Sequence, residues 1–286
     1  MPRTARPGLV AALAALALTL PETLEAQASP WAWENATEVS FVSTGGNASS
    51  STLGLKSSLT GIGDPHGFKL ELGGIRAESE RTIRTATGDQ NSFTINETTI
   101  SELTAESYLA RARYDRALGA GFVFTGSGWE RNTFAGIQNR FSFVGGFGRT
   151  WFEGESGRFK TDLGATYTIQ KDVDPVPGAD DAFGGLRVTV EAVRQVSASA
   201  ELASTLIADE NLEERGDFRA DWVSSLSVAI SEGLALKTSV QILFDSEPAA
   251  IGVPLVDGTG APTGIDVRTP GEKVDSVLTL ALVIKL

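Results

Sequence analysis

The last eleven residues, Ser276 to Leu286, read SVLTLALVIKL and alternate without a break. Leu278, Leu280, Leu282, Ile284 and Leu286 share one parity, and Val277, Thr279, Ala281, Val283 and Lys285 share the other. Successive side chains of a strand point to opposite faces, so this segment has one aliphatic side and one side of small or polar residues. The aliphatic side calls for an apolar medium around it. A strand of this kind at the end of the sequence is expected to close a membrane barrel. It must then pair with the first strand, because hydrocarbon cannot satisfy a free edge.

The other end reads as an export signal. Arg3 and Arg6 form a positive n-region, Leu9 to Leu20 an apolar h-region, and Ala26-Gln27-Ala28 an A-x-A cleavage site. The apolar run of about 12 residues is shorter than the ~20 that a membrane-spanning helix requires. The expected organisation is a signal peptide over residues 1–28 and one β-barrel domain over 29–286. The sequence contains no cysteine, which excludes disulfides, thiolate metal sites and lipid attachment through a cysteine. Removing residues 1–28 takes away Arg3, Arg6, Glu22 and Glu25, so the net charge stays at −12. An acidic exported chain has the wrong sign for binding nucleic acid.

Between these ends, alternating segments recur near 33–44, 50–61, 66–78, 95–111, 117–130, 135–149, 157–170, 183–194, 198–208, 216–230, 233–245 and 273–286. Phe159, Thr161, Leu163, Ala165, Tyr167 and Ile169 oppose Arg158, Lys160, Asp162, Gly164, Thr166 and Thr168. The long connections, near 79–94, 171–182 and 246–272, all follow odd-numbered segments. Those after even-numbered segments are short: GDPHG, RALG, EGESG, VSAS and SEG. Outer-membrane barrels show this asymmetry, with short periplasmic turns and longer external loops. Alternation alone fits equally a soluble sandwich or a lipocalin-like barrel whose apolar parity points inward. The export signal, the terminal strand and aromatics near segment ends (Trp33, Phe68, Trp129, Phe134, Trp151, Phe152, Trp222, Phe244) favour lipid outside. The expected fold is an all-β, transmembrane, antiparallel up-and-down barrel of about 12 strands.

Several stretches resemble the DUF481 family, the YdiY-like, salt-induced outer-membrane proteins of Gram-negative bacteria. They are WENATEVSFVSTGGNASSSTLGLKSSLTG with its Gly46-Asn47 turn, ARARYDRAL (110–118), GWERNTFAGIQNRF (128–141) and GGFGRTWFE (145–153). Asp245-Ser246-Glu247-Pro248 before the final strand is similar too. Asn132 stands where the family more usually has aspartate, and Leu286 where such barrels usually end on phenylalanine. The resemblance implies a single barrel in the outer membrane and a part in salt or osmotic adaptation. It carries no catalytic or ligand-binding residues.

The single histidine, His66, lies in the short GDPHG turn and is expected to be a solvated turn residue rather than the general base of a lipid hydrolase. The parity opposite lipid is charged. Its acids are Glu34, Glu38, Glu71, Glu102, Glu106, Asp162, Glu191, Glu201, Asp221 and Asp245. Its bases are Lys56, Lys69, Arg140, Arg158, Lys160, Arg187, Arg219, Lys237 and Lys285. Near-balanced charge suits paired ladders that fill the lumen, since buried charges are tolerated when paired; a polar pore is the alternative. Acidic runs at Asp172, Asp174, Asp180 and Asp181, and at Asp209, Glu210, Glu213, Glu214 and Asp217, form an expected external rim where divalent cations could bridge to lipopolysaccharide. No cofactor is expected; the glycine runs FGGL and VGGFG precede no helix that could hold a phosphate. The leading expectation is a non-catalytic envelope barrel, structural or narrowly porous. The partners expected are outer-membrane lipids, lipopolysaccharide and the barrel assembly machinery. The alternatives are an enzyme acting on envelope lipids through interior carboxylates and a binding or adhesion surface made by 79–94 and 246–272.

Overall fold

Antiparallel hairpins carry the chain once around a ring. The computed structural model describes residues 31–285 apart from 45–47, 89–92, 134, 176–180 and 215. The expected signal peptide, the Gly46-Asn47 turn, Phe134, Asp180 and Leu286 lie outside the described residues. The strands are β1 (Ala32–Thr44), β2 (Ala48–Gly63), β3 (His66–Gly88), β4 (Phe93–Leu118), β5 (Gly121–Asn132), β6 (Ile137–Gly154) and β7 (Gly157–Asp172). They continue as β8 (Ala182–Gln195), β9 (Ala200–Asn211), β10 (Phe218–Ser231), β11 (Leu234–Asp245), β12 (Ala250–Val256), β13 (Pro262–Pro270) and β14 (Val274–Lys285). Twelve of these form a closed barrel in which each strand neighbours the next and β14 sits between β11 and β1. β12 and β13 pair with each other alone.

The parity rule decides which side is which. Along β7, Asp162, Gly164, Thr166 and Thr168 are buried while Phe159, Leu163, Tyr167 and Ile169 are exposed. In β14, Ala281 and Val283 are buried while Leu278, Leu280, Leu282 and Ile284 are exposed. The aliphatic side therefore faces outward, where hydrocarbon covers it, and the polar side lines the interior. This is the arrangement of a membrane barrel and the inverse of a soluble one.

Aromatic rings gather at both ends of the wall. At the end carrying the short turns, Trp31 stacks on Trp33 (centroids 5.7 Å apart) and on His66 (6.1 Å), and Trp33 meets Phe68 edge-on at 6.2 Å. At the end carrying the long loops, Phe218 and Phe244 lie 6.2 Å apart and the Trp222 indole donates to Ser204 Oγ at 2.9 Å. Amphipathic rings suit the boundary between hydrocarbon and water. His66 is thus no isolated turn residue. It opens β3 inside the aromatic band, with Nδ1 2.6 Å from the Tyr114 hydroxyl.

Two expected loops are largely strand. Instead of ending near residue 78, β3 continues to Gly88 and β4 begins at Phe93, with the ladder running out to the Gly88–Phe93 pair. β2 accompanies β3 only as far as Arg81, and β5 accompanies β4 only between Ser107 and Leu118, so the far part of this hairpin projects beyond both neighbours. The Thr, Ile and charged residues of 79–88 and 93–106 satisfy strand geometry without needing a buried face. Likewise 246–272 contains the β12–β13 hairpin.

Candidate functional site: the charged lumen

The interior is built mainly by long side chains from β3 to β8 and from β10. At mid-height Arg111 of β4 holds Asp221 of β10 at 3.6 Å and Glu130 of β5 at 3.9 Å. Glu130 also accepts from Arg140 at 2.8 Å, and Asp221 from the Gln241 amide at 2.8 Å. Gln170 Oε1 receives Arg140 Nε at 2.6 Å and Arg219 Nη1 at 3.4 Å, joining β6, β7 and β10. On the nearer wall Glu71 lies 3.1 Å from Lys69 and 4.0 Å from Lys56.

β4 and β10 stand six places apart in a ring of twelve, on opposite sides. An arginine and an aspartate in this contact span about 14 Å between their Cα atoms, whereas a circular ring of strands ~4.8 Å apart is roughly 18 Å across even before tilt widens it. The cross-section is therefore flattened along the line from β4 to β10, and the ion pair lies across the lumen.

Nearer the short turns a second layer fills the interior. Arg113 bonds Asp115 at 2.9 Å and Asp162 at 2.8 Å, and Lys160 lies 3.7 Å from Asp115. Phe122 and Phe124 are 6% and 5% exposed and point inward from β5. The Arg113 guanidinium sits 4.0 Å from the Phe124 ring centroid and Lys160 Nζ 4.6 Å from that of Phe122, so the cations lie over ring faces. Glycines make room: a Cβ at Gly148 would overlap the Phe122 ring, and one at Gly164 would approach Phe124 at 3.0 Å. That close packing is what the VGGFG run serves. Arg158 and Glu191 complete the layer at 3.5 Å.

Toward the long loops, Arg187 grips Asp209 with two bonds of 2.8 and 3.0 Å, and the Arg219 guanidinium lies 5.0 Å from the Phe183 ring centroid. A strap then crosses the mouth. Ser246 accepts from the Phe218 amide at 2.7 Å, anchoring residues after β11 to the start of β10. Three residues on, Ala249 abuts Gly136 on the far side of the ring: a Cβ on Gly136 would stand 2.6 Å from the Ala249 Cβ. Gly136 in turn accepts from the Val173 amide at 2.8 Å, tying this meeting point to the end of β7.

Of the residues expected inside, Glu38, Lys56, Glu71, Arg140, Arg158, Lys160, Asp162, Arg187, Glu191, Arg219, Asp221, Lys237 and Asp245 share the inward parity. Glu34 has that parity too but lies exposed at the short-turn end, and Glu102 lies on the projecting hairpin. Glu106 is a correction. It sits opposite Arg76 on the outward parity, 3.7 Å from that guanidinium, and accepts from the Tyr108 hydroxyl at 3.0 Å. The register slips at Ala77/Glu78, where β4 carries one extra residue, so Glu102 and Glu106 do not share a face. The interior charges of this strand are Arg111, Arg113 and Asp115 instead, with Glu130 on β5. The alternation of Ala110, Ala112 and Tyr114 against Arg111, Arg113 and Asp115 already carries that signal in ARARYD.

The acidic rim is partly committed to internal bonds: Glu213 accepts from the Gly184 amide at 2.9 Å, and Asp217 from Asn211 at 2.9 Å. Asp209 belongs to the lumen rather than to the rim. Among the described residues no group of three or more His, Asp or Glu side chains gathers to hold a metal ion.

A model of the family described as protein of unknown function DUF481 matches residues 37–259, most of the barrel. The chain belongs to the DUF481 family. No curated protein matches it. Among solved structures this DUF481 barrel is similar to an outer membrane channel from Pseudomonas putida F1 (11% identity, 94% of this chain and 100% of that one, TM-score 0.44). It is also similar to the NanC porin (10% identity, 88% and 100%, TM-score 0.44) and to the translocator domain of the autotransporter NalP from Neisseria meningitidis (10% identity, 92% and 90%, TM-score 0.41).

Proposed function

We propose that this DUF481 chain is a non-catalytic barrel of the Gram-negative outer membrane whose axial passage is obstructed at rest by ion-paired side chains, leaving a structural barrel or a narrow pore. The observation that carries the reading is the Arg111–Asp221 contact across the ring. The layer of Phe122, Phe124, Arg113 and Lys160 lies on one side of it and the strap ending at Ala249 on the other. The one imidazole is engaged by a tyrosine within the aromatic band rather than by a serine, and the interior carboxylates of Glu38, Glu130, Asp162, Asp209 and Asp221 are tied to guanidinium or ammonium groups. In this reading the short turns face the periplasm and the long loops the exterior. The partners are outer-membrane lipids, with lipopolysaccharide bridged by divalent cations to carboxylates of the acidic rim, and the assembly machinery that inserts the barrel. The role in salt or osmotic adaptation rests on the resemblance to salt-induced relatives.

Purified protein in a planar bilayer tests this. The expected record is small or absent current steps across a range of voltage and salt. Large, stable open-channel steps in the wild-type protein would refute an obstructed axis. Altered lipid A or phospholipid profiles on overexpression would replace the non-catalytic reading with an enzymatic one.

A further inference from the structure

The ladder that closes the ring is incomplete. β1 pairs with β14 from Ala36–Lys285 to Val39–Leu282, and among the described residues the pairing stops there. Continuing that register would set Ser40 to Thr44 opposite Val277 to Ala281. These segments instead pair on their far sides alone, with β2 and with β11. Two strand edges with their amides and carbonyls thus face one another unbridged, although Phe41 on β1 and Leu278 and Leu280 on β14 face outward to lipid at this height. Bare edges of this sort are costly in hydrocarbon.

Side-chain exposure traces the same gap. Val42, which points inward, is 57% exposed, whereas inward Ala281 and Val283 below it are each 4% exposed. Leu278 and Leu280 are 76% and 61% exposed, more open than Leu282 and Ile284 at 42% and 41%. The gap also has a floor. Lys237 of β11 reaches past Ala281 and Val283 to hold Glu38 of β1 at 2.7 Å, pinning the paired half of the seam.

Directly inside the gap the wall carries Val277 and Thr279 on β14 and Ser239 and Gln241 on β11, with Gln241 turned to Asp221 and Val223 beyond it on β10. The long charged side chains Arg111, Arg113 and Arg140 rise from the opposite wall. We infer that the upper half of the β1–β14 seam is a lateral portal that admits the hydrocarbon chain of a membrane amphiphile into the lumen. The chain covers Val42, Val277 and Thr279, while the ester or amide groups at its head meet the unbridged edge amides. Access from the side and obstruction along the axis are separate claims, since the first rests on backbone pairing and the second on side chains.

The sequence has no cysteine, so single cysteines give clean reporters. Full-length protein carrying Thr279→Cys, Leu280→Cys or Val223→Cys is labelled with a small fluorophore and placed in vesicles of phosphatidylcholine brominated on its acyl chains. The expected result is quenching at Thr279→Cys as strong as at lipid-facing Leu280→Cys, with Val223→Cys, two strands further from the gap on β10, quenched less. Amide exchange should also be faster over Ser40 to Thr44 than over Ala36 to Val39. Quenching at Thr279→Cys no greater than at Val223→Cys, with uniform protection along β1, would overturn the portal. Loss of quenching together with disulfide dimers through Thr279→Cys would overturn it in favour of a second copy covering the seam. Gel mobility that shifts on boiling verifies that each variant is folded, and planar-bilayer currents report the axial reading independently.

Discussion

Removing the ion pair that crosses the ring should loosen the barrel and enlarge its passage together. At 3.6 Å, with an effective dielectric near 20, the Arg111–Asp221 attraction is about 4–5 kcal/mol before desolvation is subtracted. The Arg111 side chain is 36% exposed and that of Asp221 16%, so solvent screens the pair and desolvation offsets much of the rest. Asp221 keeps the Gln241 amide at 2.8 Å and Glu130 keeps Arg140 at 2.8 Å, so neither carboxylate is stranded when Arg111 is truncated. A net coupling of about 1 kcal/mol is therefore expected, below the ~3–5 kcal/mol seen when a fully buried charge loses its partner. Urea unfolding of wild type, Arg111→Ala, Asp221→Ala and the double variant in detergent micelles gives the coupling directly. Planar-bilayer recordings of the same four proteins should show larger conductance in all three variants. Coupling indistinguishable from zero combined with unchanged currents would refute the claim that this contact braces and blocks the lumen.

The mouth strap depends on Gly136, whose φ is +77° and whose missing Cβ leaves room for Ala249. Gly136→Val should strain the backbone by about 1–3 kcal/mol and push the strap aside, read as faster proteolysis within 246–272. Phe124→Ala removes a buried ring and the surface on which Arg113 lies, and should lower stability by roughly 3 kcal/mol in urea unfolding. In the β12–β13 turn, Asp257 accepts from Thr259 N, Thr259 Oγ1 and Ala261 N at 2.8, 2.6 and 3.0 Å, and these bonds hold its carboxyl below the usual aspartate range. A depressed folded-state value stabilises the turn above the ordinary aspartate pKa and loses that contribution as pH falls through the depressed one. Amide exchange at Thr259 and Ala261 should quicken across that acid window and stay flat above it, and Asp257→Asn should remove most of the acid dependence.

The outside of this barrel is written in the chain's alternation. Phe159, Leu163 and Tyr167 against Asp162, Gly164 and Thr166 fix the strand, and with the export signal and the terminal strand pointing to lipid outside they fix its lipid side, because a period of two leaves no freedom once one face must meet hydrocarbon. The strand count, the hairpin order and the asymmetry between short turns and long loops follow from the same local signals. Charges on both parities of 95–111 signal a bulge or the water interface, but the position of the extra residue in β4 was hidden, since a bulge is set by pairing with β3, and it sent Glu106 to the opposite face. The length of the β3–β4 hairpin was hidden for the same reason: polar β-formers read as loop until a partner strand is known.

The lumen belongs to tertiary structure. Sequence separates inward from outward residues, but closure of the ring decides which of them meet, as when Arg111 finds Asp221 and Lys237 finds Glu38 some 199 positions away. The strap from Ser246 to Ala249, the rings of Phe122 and Phe124 over their glycines, and the unbridged upper seam of β1 and β14 depend on distances across the barrel. Alternation is a property of one strand, whereas occlusion and access are properties of all twelve strands at once.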